Sequence, residues 1–100
     1  MAGLNERLEE QTAQTHRQVL HVEAVLDSLH DDFAAACVVH EQVKNRLALA
    51  PAESRKLLRV ELKKILAELA ALTERRFARS EERQRLLKKL GGLQMALVAS

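Results

Sequence analysis

Leu47-Ala48-Leu49-Ala50-Pro51-Ala52-Glu53-Ser54 contains the chain's single proline, and where one helix must end and another can begin depends on it. Proline disfavours the helical conformation at the residue before it, has no amide hydrogen to give a helix interior, and suits the first turn of a new helix. Ala50 therefore closes whatever helix precedes it. Glu53 lies where a helix N-terminus favours negative charge. A turn over residues 50–54 is expected.

Upstream, Leu4 to Leu49 contains neither Pro nor Gly, and apolar or small residues recur at alternating steps of three and four. In heptad terms Asn5, Thr12, Val19, Leu26, Phe33, His40 and Leu47 share one seam position, and Leu8, Thr15, Val22, Leu29, Ala36, Val43 and Ala50 the other. One helix over about residues 4–49 is predicted. Downstream, Leu62, Leu69 and Leu90 fall on one seam with Arg76 and Arg83, and Leu58, Ile65, Leu72 and Leu86 on the other with Arg79. This predicts a second helix over about 55–90. Gly91-Gly92 is expected to interrupt it, with the apolar tail 91–100 forming a short final helix or fraying.

Antiparallel helices joined by a short turn pair residues whose numbers add to a nearly constant value. Here a sum of about 105 keeps both seams in phase, placing Val43 with Leu62, Ala36 with Leu69, Val19 with Leu86 and Thr15 with Leu90. The expected fold is all-α: a long antiparallel helical hairpin, a two-helix coiled coil in one domain over 1–100. Val25, Cys37, Val38 and Val39 lie beside the seam. Each helix of a hairpin has one neighbour, so a four-helix bundle completed by dimerisation or by another helical protein is the expected assembly.

Composition excludes the competing classes. At 100 residues and 11.2 kDa there is room for one domain. Hydrophobic content of 47% is too high for a disordered tail, while three glycines and one proline leave too few turn signals for a sheet-rich fold. The longest apolar run, Phe33 to Val39, is far short of the ~20 residues that cross a bilayer. A lone Cys37 and no charged-then-apolar leader fit a cytoplasmic location, or a nuclear one in a eukaryote. Membrane insertion is not expected. Charge is divided: residues 1–50 carry four basic and eight acidic groups, net −4, and residues 51–100 carry twelve and six, net +6.

Three layers of the register break the apolar pattern, with Val22 opposite Arg83, Leu26 opposite Arg79 and Leu29 opposite Arg76. An arginine can lay its methylenes on an apolar neighbour and send its charge to water, so a splayed, wet stretch is one reading. The other is a docking site. In it Val22, Val25, Leu26, Leu29 and Phe77 form an apolar patch that a partner helix covers, ringed by Arg75, Arg76, Arg79 and Arg83, which pair with that partner's acids.

No catalytic constellation can be assembled. Ser28, Ser54 and Ser80 have no His and acid arrangement at hand, and the glycines form no phosphate cradle. Asp27 with His30 and Cys37 with His40 have the three-residue spacing of helical metal ligands, but each pair supplies two ligands and the second helix contains no His or Cys. No cofactor is expected. His16, Glu23, His30 and Cys37 repeat every seven residues along one edge, a place for a subunit contact.

The expected function is a non-enzymatic interaction module, a helical-hairpin subunit or adaptor binding itself as a homodimer or another helical protein. A small helical chaperone holding an amphipathic client helix, as in secretion and export, is the alternative on architecture alone. Nucleic-acid binding through the basic second helix ranks third. Glu81 and Glu82 interrupt its basic cluster, and only Phe77 offers a stacking surface there.

Overall fold

With one proline as the only strong helix breaker, the backbone closes its hydrogen bonds locally on either side of it. The computed structural model describes the backbone of residues 2–100, and side chains from residue 3 onward. It contains two helices, α1 (Ala2–Leu49) and α2 (Ala52–Ala99), packed against each other as a hairpin.

The turn is tighter than the sequence suggests, because just Ala50 and Pro51 separate the two helices. The Ser54 amide donates to the Pro51 carbonyl at 3.0 Å, so α2 begins immediately after the proline. Pro51 loses nothing there, since the first amides of a helix have no intrahelical acceptor. At the end of α1 the Ala50 amide donates to the Leu47 carbonyl at 3.4 Å, and Arg55 Nε donates to the Ala50 carbonyl at 3.2 Å. An orphan carbonyl is thereby capped by a side chain of the helix that follows it.

The far end differs from expectation. Gly91-Gly92 does not interrupt α2, and the tail forms neither a separate short helix nor a frayed end, because α2 continues to Ala99. Neither glycine takes a positive φ, so neither acts as a helix-terminating cap. A helical glycine costs about 1 kcal/mol relative to alanine. That cost is offset by packing beyond it: Leu93, Ala96 and Leu97 are half-buried, and the Ser100 hydroxyl donates to Asn5 Oδ1 at 2.9 Å. The Asn5 and Ser100 pairing also agrees with the register sum of about 105.

The chain divides into two compact units, each made of facing segments of both helices. Unit 1 takes the segment up to Asp27 with Ala78–Ser100, and unit 2 is Ser28–Phe77. In unit 1 the core is Val19, Val22 and Leu90 with a buried Thr15. In unit 2 it is Ala36, Val43 and Leu72. All of these are seam positions. Fully burying a residue such as Leu72 stabilises by about 1.5–3 kcal/mol, so cores of this size leave each unit thinly held.

A Cβ added at Gly92 would meet no atom within 4 Å, and the position is exposed on a regular helix. Gly92→Ala is expected to raise the unfolding free energy by about 1 kcal/mol, read as a higher Tm in a circular dichroism melt.

Candidate functional site

The arginine layers are the place where chemistry replaces packing. In unit 2, Arg76 is half-buried and its guanidinium carbon lies 4.6 Å from the centre of the Phe33 ring. The seam register alone sets Arg76 opposite Leu29. A helical side chain leans toward its helix N-terminus, which for α2 is the turn, and that lean carries Arg76 one turn along to Phe33. Guanidinium on an aromatic face is a favourable cation–π arrangement. Its Nε, however, is buried and has no hydrogen-bond partner. Next to it Arg75 is exposed and lines an open groove with Asp32, Ala35, Val39, Glu68 and Ala71. Leu29 is half-buried, and Phe77 is 66% exposed and turned away from the seam.

In unit 1 the arginines are engaged within the chain. Arg79 bonds Glu82 at 2.8 Å on its own helix, and Arg83 lies 3.5 Å from Glu23 on α1. These pairs stand largely in water, so each contributes on the order of 0.2–1 kcal/mol. Val25 and Leu26 are half-buried. Val22 is only 2% exposed and belongs to the core of unit 1, so it offers a partner no surface.

Of the nine residues singled out from the sequence, Val22, Val25, Leu26, Arg79 and Arg83 thus fall in unit 1, and Leu29, Arg75, Arg76 and Phe77 in unit 2. Arg79 and Arg83 find acids inside the chain, and Arg76 finds Phe33. Arg75, Phe77 and Arg79 are the exposed members of the set.

Other apolar side chains, outside the seam, stand in water. Leu20, Leu66, Leu87, Met95 and Val98 are all exposed. Their signal in the sequence is faint, because each sits one or two positions outside the seam and only spacing across both helices groups them. In unit 1 a second open groove runs along Glu9, Ala13 and His16 of α1 and Gln94 of α2, floored by Leu90 and Leu97.

Metal-ligating and nucleophilic groups stay dispersed. Among the described residues no three His, Cys, Asp or Glu side chains come together as a metal-binding set. Cys37 is a free, exposed thiol, and His40 is half-buried. No helix among the described residues is long and apolar enough to cross a membrane. Comparison with protein-family models, with curated proteins and with solved structures finds no match for this chain.

The unsatisfied Arg76 Nε defines a measurable cost. A buried donor without a partner costs about 1–3 kcal/mol, whereas a cation–π contact returns about 0.5–1 kcal/mol when partly exposed. Arg76→Leu is therefore expected to stabilise the protein by about 1 kcal/mol in urea unfolding. A loss of stability would show that the Phe33 contact outweighs the orphaned donor.

Proposed function

We propose that this chain is a non-enzymatic protein–protein interaction module, a helical hairpin that works as a subunit or adaptor by packing against other helices in a homo- or hetero-oligomeric assembly. The observation that carries this reading is the apolar surface left in water beside thin cores. Met95 is 75% exposed and Val98 88%, and Val38, Leu66 and Phe77 also project from the helices. A helix with one neighbour can bury only part of a wide apolar stripe, and a second neighbour in a four-helix bundle covers the remainder. The grooves favour the same reading, since they are open and edged by small side chains such as Ala35, Ala71 and Ala13, over which another helix can approach closely.

An assembly that supplies missing packing makes stability depend on concentration or on an added partner. Chemical unfolding of the full chain from about 1 μM to about 1 mM, followed by circular dichroism, is the test. At the lowest concentration the unfolding free energy is expected to lie below about 5 kcal/mol, the lower end for self-sufficient domains. A cooperative, concentration-independent value above that figure would remove the need for a partner and with it this reading.

A further inference from the structure

Each unit carries an apolar strip beside its seam, and the two strips bear opposite charge. In unit 1, Glu9, Ala13 and His16 face Gln94 across one open groove. Continued at helical steps of three and four, the same face includes Leu20, Leu87, Gly91 and Val98. Leu20 is 53% exposed. The charged positions of this strip are Glu6, Glu9, Glu23 and Asp27, and none is Lys or Arg. Glu23 is engaged by Arg83 from the seam, while Glu6 and Glu9 are exposed.

In unit 2 the equivalent strip lies on the side of the seam away from the groove of Asp32, Val39, Glu68 and Arg75. Its apolar members are Cys37, Leu66 and Phe77, all exposed, with Ala34 and Ala70 between them. Its charges are Lys44, Lys56, Arg59 and Lys63 against the single acid Glu41.

We propose, resting on the interaction-module reading above, that the occupant of these strips is a second copy of this chain, laid antiparallel so that unit 1 of one copy seats on unit 2 of the other. A two-fold interface requires a surface that complements itself, and this chain carries both halves of such a match. The acidic apolar strip meets the basic one twice, once in each direction. Parallel stacking would set Lys44 and Lys63 against their own counterparts and Glu6 and Glu9 against theirs. Apolar burial at Leu20, Leu66 and Phe77 drives association, and charge selects the orientation.

Charge reversal in two separate chains tests this. One variant carries Lys44→Glu with Lys63→Glu, the other Glu6→Lys with Glu9→Lys, all at exposed positions. In sedimentation at about 100 μM the unaltered chain is expected to be a dimer, and each variant alone to self-associate at least about tenfold more weakly. An equimolar mixture of the two variants is expected to recover a one-to-one dimer, because each reversed strip then meets its complement. Circular dichroism of each variant verifies that the helices persist. Failure of the mixture to recover, or rapid formation of a Cys37-to-Cys37 disulfide dimer on mild oxidation, overturns the antiparallel arrangement. A monomer at about 100 μM that is also marginally stable overturns the second-copy assignment, while the interaction-module reading stands with a different helical partner.

Discussion

Pro51 withholds one amide hydrogen and disfavours one helical conformation at Ala50, and every pairing between α1 and α2 follows from where that happens. With the reversal confined to Ala50 and Pro51, residues on the two helices meet at a fixed sum of their numbers. The Asn5 and Ser100 hydrogen bond, far from the turn in sequence, obeys it, as does the Arg83 and Glu23 ion pair within one residue. A long two-helix pairing is specified by one residue because helices are stiff and the seams on both sides of it keep the same period.

Within that frame the arginines replace burial by weaker terms. Where Leu72, Val43 or Val19 would exclude water, Arg76 offers a guanidinium on a ring, and Arg79 and Arg83 offer solvated ion pairs. The division between the compact units falls at Asp27 to Ser28 and Phe77 to Ala78, among these same layers. Charge separation between the acidic first half and the basic second half lies at the surface, where solvated ion pairs add little to the stability of the chain.

The hairpin and its register are legible in the sequence because they depend on a proline and on a period, both local and repetitive. The Gly91-Gly92 break was expected from the same local logic and does not occur, since packing of Leu93, Ala96 and Leu97 outweighs a propensity cost of about 1 kcal/mol per glycine. Val22 was expected at a docking surface because an arginine stands opposite it in the register. The valine is nevertheless in the core, as Arg83 turns outward to Glu23. The position of Arg76 over Phe33 could not be read from seam positions alone, because it follows from the direction in which a side chain leaves its helix. The accessible strips were hidden for another reason: Leu20, Leu66 and Val98 belong together only when both helices are seen folded.

The unbroken passage of α2 through Gly91 and Gly92 has a consequence for the backbone itself. With no Cβ on two successive residues, the carbonyls there are less shielded from solvent, and a helix hydrates and opens soonest where such shielding is thinnest. The amides of Met95 and Ala96, whose acceptors are those two carbonyls, are placed to trade hydrogen for deuterium ahead of their neighbours toward the middle of the helix.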